Sequence, residues 1–294
     1  MIEIFKKREN ISLLFILPAL ILFFIFTVYP MFNSVNLSLT NWDGISTKYD
    51  YIGFENFRLI FTNERFYNAL KNSMIIGISF TILANVLSLG LAIIVDNIII
   101  GKSFFRSMFY LPVLISGIIA GFVWAIMFNY SFGIINSIFS ALGLNLEINF
   151  LGEMPNALMS IIFVMLWQQA GYYMVIYLAG LQSIPKELLE SAQIDGASKF
   201  QKFQHITFPL LAGSFTVNMT LALIFGFKVF DQIVVMTDGG PGFSTESITY
   251  LIYKVAFAEL KQGYGTALAL VLFFIVLIIA ILQAIVLRKR EVQL

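Results

Sequence analysis

In 294 residues the chain carries 59% hydrophobic side chains, only 12% charged ones and no cysteine, against about 25% charged in an ordinary soluble domain. That balance excludes a soluble globular protein, and the missing thiols exclude disulfides and thiolate metal sites. A formal net charge of +1 gives no reason to invoke nucleic acid; the charges inform through where they fall.

Lys6, Lys7 and Arg8 precede an apolar run, 11–32, long enough for a hydrocarbon core about 30 Å thick. The run is too long for a secretory signal and lacks an Ala-x-Ala end, so it reads as an uncleaved first span. Residues 33–66 are polar and rich in aromatics, with Trp42, Tyr49, Tyr51, Phe54 and Phe57, the composition of an interfacial loop on the outer surface. The second span, 68–95, holds Gly77, Ser79, Asn85, Ser88 and Gly90. Small residues at this density favour close helix packing in lipid over a ligand role for Asn85. Gly101-Lys102-Ser103 has the ending of a phosphate-binding loop, but Asp96 stands where the earlier glycine belongs and no strand precedes it, which excludes a nucleotide site.

The third span, 107–128, leads to a loop, 131–155, without lysine or arginine, as an outward segment should be. The fourth span, 156–178, contains Trp167-Gln168-Gln169-Ala170-Gly171-Tyr172-Tyr173. Polar groups at that depth need partners, and where they line a cavity they serve a solute.

Next comes a polar interruption between apolar segments, 181–211, LQSIPKELLESAQIDGASKFQKFQHITFPLL. Ser183 and Pro185 stand where a helix begins and Gly196 where one ends. Ser198 with Gln201 predicts a capping box for a second helix. Glu187 and Glu190, at i and i+3, share a face of the first helix, beside Leu188, Leu189 and Ala192. Phe200, Phe203 and Ile206 recur on the second. The stretch reads as a bent amphipathic hairpin, acidic at its tip and aromatic on one side, built for docking.

The fifth span, 209–236, includes Asn218, Lys228 and Asp231. At about 1.5 Å of rise per residue, Lys228 lies about 28 Å beyond Pro209, at the far interface, where an i, i+3 surface ion pair with Asp231 is the expected arrangement. Asp238-Gly239-Gly240-Pro241-Gly242 makes a tight outward turn. The sixth span, 264–287, is closed by Arg288-Lys289-Arg290. Lysines and arginines concentrate at the amino end, in 96–106, in 181–211 and at the tail, and thin out in the other connections. The positive-inside rule then gives six spans with both termini cytoplasmic. The expected fold is all-α, one polytopic membrane domain over 1–294, with the hairpin on the cytoplasmic side.

Glu190-Ser191-Ala192, Asp195-Gly196-Ala197, Phe203, Ile206 and Pro209-Leu210-Leu211 resemble the EAA loop of ABC importer permeases. Residues 225–241, FGFKVFDQIVVMTDGGP, resemble the penultimate span and Gly-Gly-Pro turn of the sugar-permease branch. Ser191 departs from the usual second alanine by exchanging one small residue for another. The resemblance covers essentially the whole chain and implies a bacterial inner-membrane, multi-pass permease of a binding-protein-dependent importer for a sugar or oligosaccharide. It implies partners as well: a second permease, two ATPase subunits and an extracytoplasmic solute-binding protein. ATP and magnesium would be used by the ATPase, with no cofactor on this chain. It assigns ATPase coupling to Glu187, Glu190, Ala192, Asp195, Gly196, Ala197 and Phe203. Matched to the maltose-type subunit, Gln169, Ala170, Tyr173, Phe225, Gly226 and Val229 fall at sugar-binding positions, and Leu166, Gly226 and Val229 stand where that subunit carries asparagine. Trp167, Gln168 and Gln169 either replace those contacts or pack against the partner permease.

No Walker motif, zinc-protease motif or carboxylate-rich span occurs, and the one histidine, His205, lies in the docking loop as a surface residue. An ion-driven carrier usually needs ionisable groups within its spans; their scarcity fits an energy source outside this chain. A self-sufficient channel or a membrane-embedded enzyme is the alternative. The polar run 167–173 is its best support, and the lack of paired catalytic groups and the specialised hairpin stand against it.

Overall fold

The computed structural model describes residues 16–144 and 146–289; Lys6, Lys7, Arg8, Arg290 and residues 11–15 of the expected first span lie outside them. The described residues are almost entirely helical, with one isolated antiparallel bridge between Thr40 and Tyr51. In chain order the helices are α1 (Ile16–Ser38), α2 (Glu55–Thr62), α3 (Glu64–Asn97), α4 (Lys102–Leu114), α5 (Gly117–Met127), α6 (Ile134–Ala141) and α7 (Asn156–Gln182). They continue with α8 (Lys186–Ile194), α9 (Lys199–Leu210), α10 (Ala212–Phe227), α11 (Asp231–Met236), α12 (Ile248–Ala258) and α13 (Gln262–Arg288).

Among the described residues α1, α3, α7 and α13 are each long and apolar enough to cross a membrane. Two further candidates are broken: α4 and α5 meet at 93°, and α9 and α10 at 68°. The expected third span, 107–128, is therefore no straight helix. Pro112 lies in a tight final turn, Leu111–Leu114, after which Ile115 and Ser116 take extended backbone. The expected fifth span, 209–236, is interrupted twice, at Leu211 and again at 228–230, where Phe230 leaves the helical region altogether.

Proline explains another feature. Two of the three wide i to i+5 turns among the described residues precede a proline, Phe24–Val28 before Pro30 and Phe203–Thr207 before Pro209; the third, Lys254–Ala258, does not. Proline has no N–H and its ring clashes with the carbonyl four residues back; a wide turn lets the ladder step past that conflict without ending the helix.

The chain separates into two compact units. The first holds Met1–Asn63 and Ile252–Leu272. Within it the expected interfacial loop is organised: Asn56 donates from Nδ2 to the carbonyls of Ser38 and Thr40, at 2.8 Å each, and Gly263 N–H donates to Trp42 O at 2.8 Å. Asp43 sits in an exposed turn where the Ser46 hydroxyl and the N–H groups of Ile45 and Ser46 hold its carboxyl down to about 2. The Trp42, Tyr49 and Tyr51 rings follow one another at 6.0 and 6.4 Å.

The second unit holds Glu64–Leu251 and Phe273–Leu294. Its spine is α3, with α7 and α10 packed along it, and α11 packs on α5. Ile76, Phe80, Ile161, Met165, Tyr173 and Ile233 form the centre of the core. Of the small residues of α3, Gly77, Asn85 and Ser88 are buried in the packing as expected, while a Cβ on Gly90 would meet no neighbour. Gly77 lies against the Phe227 ring, and Asn85 is internally satisfied, donating to Thr81 O at 2.7 Å and accepting from Tyr177 Oη at 2.6 Å. Lys102 pairs with Asp96 at 2.5 Å, which leaves Gly101-Lys102-Ser103 as an ordinary helix start.

Candidate functional site

Two features of the second unit have the makings of a working site. One is the stretch 183–211. Pro185 caps α8, Gly196 at φ +81° ends it, and the bonds Gly196 N–H to Gln193 O (3.2 Å) and Ala197 N–H to Ala192 O (2.9 Å) complete a Schellman motif. The predicted capping box is present: Gln201 N–H donates to Ser198 Oγ and Ser198 N–H to Gln201 Oε1. Local chemistry alone thus sets the bend. Glu187 and Glu190 are exposed on α8, and with Asp195 they form no ion pair or side-chain hydrogen bond among the described residues. Ala192, Ala197 and Phe203 are half-buried behind them. Ile194 and Phe200 are 87% and 71% exposed. His205 is exposed on α9, as expected. Free carboxylates beside bare apolar side chains make a surface suited to a protein partner.

The other feature is a cavity of about 620 Å³ between α4, α5, α7, α10 and α11, a volume suited to a small solute. Both walls are helix breaks, and each exposes carbonyls that need a donor where water is scarce. At the first break, Gln168 Nε2 donates to Ile115 O at 2.7 Å. At the second, Ser247 Oγ donates to Val229 O at 2.9 Å and Thr249 Oγ1 to Phe227 O at 3.4 Å. Gln232 Nε2 donates to Gln168 Oε1 at 3.0 Å, joining the two walls. The segment that supplies Ser247 is itself pinned to α3. Arg65 holds the fully buried Glu246 through two bonds of 2.8 Å, Asn72 donates to the carbonyls of Ser244 and Glu246, and Ile248 N–H donates to Ser73 Oγ. The Gly-Gly-Pro turn therefore returns a polar strand of chain into the interior.

Of the candidate solute residues, Gln168, Gln169, Tyr173, Phe225 and Val229 line this cavity. Gln168 is 3% exposed and both ends of its amide are engaged, so it holds the wall together. Three candidates lie elsewhere, and of these Ala170 is buried in α7. Trp167 sets its ring against Trp124 at 5.5 Å, and Gly226 packs on Gly77, where a Cβ would meet the Gly77 Cα at 3.0 Å. Sequence reasoning missed Tyr110, Val113, Gly117, Tyr172 and Gln232, and it misplaced two charges. Lys228 and Asp231 make no ion pair with each other or with any described residue, and both line the cavity. The i, i+3 pairing needs a continuous helix, and α10 stops at Phe227. A mid-span charge was the available signal; Pro112 and Gly117 were the signal for the other wall.

Residues 98–292 match the model of the binding-protein-dependent transport system inner membrane component family. Over 279 residues, 95% of each chain, the sequence is 36% identical to the multiple sugar-binding transport system permease protein MsmF of Streptococcus mutans. The fold is similar, at TM-score 0.83 and 25% identity over 96% of each chain, to a bacterial ABC transporter involved in the import of the acidic polysaccharide alginate. It is equally similar, at TM-score 0.83 and 25% identity over 94% of this chain and 93% of the other, to a bacterial alginate ABC transporter in complex with alginate pentasaccharide-bound periplasmic protein. The chain belongs to the family of binding-protein-dependent transport system inner membrane components, as an ABC importer permease.

Proposed function

We propose that the chain is one permease subunit of an ATP-driven importer for a sugar or oligosaccharide, working by alternating access. The cavity holds the solute in transit and the loop 181–211 transmits the stroke. The observation that carries this reading is the chemistry of that loop: Glu187, Glu190 and Asp195 without partners among the described residues, beside exposed Ile194 and Phe200, on helices continuous in sequence with the cavity wall. In this mechanism α8 seats against a cytoplasmic ATPase subunit, Glu190 meets a basic group there, and closure of the ATPase dimer moves α8 and α9. The movement passes through the bend at Leu211 into α10, whose far end is the cavity wall at 228–230.

The solute assignment draws support from the cavity, where the aromatic rings of Tyr172, Tyr173 and Phe225 stand beside the amide of Gln169. Rings stack on the apolar face of a sugar while amides meet its hydroxyls. It also draws support from the sugar-binding system in which MsmF is named and from the alginate transporters of similar fold. A second permease, two ATPase subunits and an extracytoplasmic binding protein complete the assembly, and the bacterial inner membrane is its place. The test is ATP hydrolysis by the reconstituted complex in response to its binding protein loaded with each of a panel of sugars. Stimulation by at least one sugar is expected; no stimulation by any would remove the solute assignment.

A further inference from the structure

We infer that Lys228 is a solute-contacting residue that determines what the cavity accepts, and that Asp231, its charged neighbour, is a positioning residue in the wall; this rests on the reading of the cavity as the transport site. The two are the only charged side chains among the described cavity-lining residues. They differ in what surrounds them. Asp231 lies in the first turn of α11, and its carboxylate also abuts Gly117, the first residue of α5, so closely that a Cβ there would collide with Oδ2. Ser116 makes no side-chain cap for α5, leaving that helix end with unsatisfied N–H groups and a partial positive charge. Asp231 thus has its complement within the protein, at the break that Gln168 and Gln232 also hold.

Lys228 starts at the C-terminus of α10, whose dipole tolerates a cation; the residue is exposed and lines the cavity, and its ammonium makes no ion pair or hydrogen bond among the described residues. An ionisable side chain on a spanning element that faces a cavity in the protein interior marks a substrate path more often than a structural contact. Three N–H donors and no acceptor select a solute oxygen, either a pair of neighbouring hydroxyls on a neutral sugar or the acid oxygens of a uronate. With the Asp231 carboxylate set against Gly117 at the start of α5, Lys228 is the charged group among the described lining residues that is left open to a solute.

The experiment compares wild type, Lys228→Met, Lys228→Arg and Asp231→Asn in the full complex in proteoliposomes. It measures uptake of a neutral trisaccharide and of a trigalacturonate, together with thermal unfolding. Lys228→Met is expected to lower uptake of whichever sugar the wild type carries at least tenfold, with Lys228→Arg recovering most of it and neither shifting the unfolding temperature. The loss falls on trigalacturonate if the bound oxygen is acidic and on the neutral sugar if it is a hydroxyl pair. Asp231→Asn is expected to lower the unfolding temperature while the preference between the two sugars stays that of the wild type. Undiminished uptake by Lys228→Met, or a changed preference in Asp231→Asn, overturns the inference alone. A wild-type complex that carries neither sugar, with its loaded binding protein present, removes the solute reading and this inference together.

Discussion

Residues 183–211 and the cavity walls at 110–117 and 225–232 belong to one compact unit, yet they draw their structure from opposite sources. The loop is shaped by neighbours in sequence: Gly196 closes α8 through Gln193 and Ala192, and Ser198 and Gln201 cap α9. The cavity is shaped by distant residues: Gln168 supports Ile115, Ser247 supports Val229, and Arg65 supports the segment carrying Ser247. A surface that must meet a partner needs its groups free, whereas a broken helix inside a membrane protein needs every freed carbonyl satisfied. Damage to the two regions should therefore read out differently, as lost coupling in one and lost stability in the other.

The largest effect expected on the cavity side comes from Glu246→Ala, which strips the part-exposed Arg65 of its carboxylate and should cost about 3 kcal/mol, the low end for a buried pair. Thermal unfolding of the purified complex would register it as a marked fall in transition temperature; an unchanged transition would mean that the segment 238–247 is not what supports the break. Next is Glu190→Ala on the loop side. Removing one partner of a buried interfacial ion pair costs about 2 to 5 kcal/mol, so ATPase coupling and uptake should drop steeply while the unfolding temperature holds. Normal uptake by this variant would contradict the division of labour. Gln168→Leu should destabilise by about 1 to 3 kcal/mol, since it strips a donor from Ile115 O and an acceptor from Gln232, and the loss should appear in unfolding before it appears in solute preference. Smallest is Ser198→Ala, which removes one cap and should cost about 1 kcal/mol, visible as faster amide exchange at Gln201 with unfolding elsewhere unaltered.

The same contrast explains what could be read from the chain. Pro185, Gly196, Ser198 and Gln201 act within a few residues, so the hairpin was legible as written. Long apolar runs made α1, α3, α7 and α13 legible too. The breaks were not, because hydropathy averages over a window and Ile115-Ser116 and Lys228-Val229-Phe230 sit between apolar neighbours. Once a continuous helix is assumed across 209–236, Lys228 and Asp231 fall on one face and pair; with α10 ending at Phe227 they separate and both turn to the cavity. Trp167 and Gly226 show the converse error, since position in a motif did not reveal that Trp124 and Gly77 already occupy them. Gln168 was picked out for its polarity as a solute residue, while its partners in the protein, 53 and 64 residues away, were beyond reach.

The central claim, that an ATP-hydrolysing partner drives the cavity through α8, is tested most directly by cross-linking from position 190. The chain has no cysteine, so Glu190→Cys introduces a single thiol that a short thiol-to-amine cross-linker can use in the assembled complex. The account predicts a cross-link to the ATPase subunit whose yield changes when ATP is added, and no labelling of that thiol by an impermeant reagent applied from outside the cell. Labelling from outside, or a cross-link to no ATP-hydrolysing subunit, would contradict it.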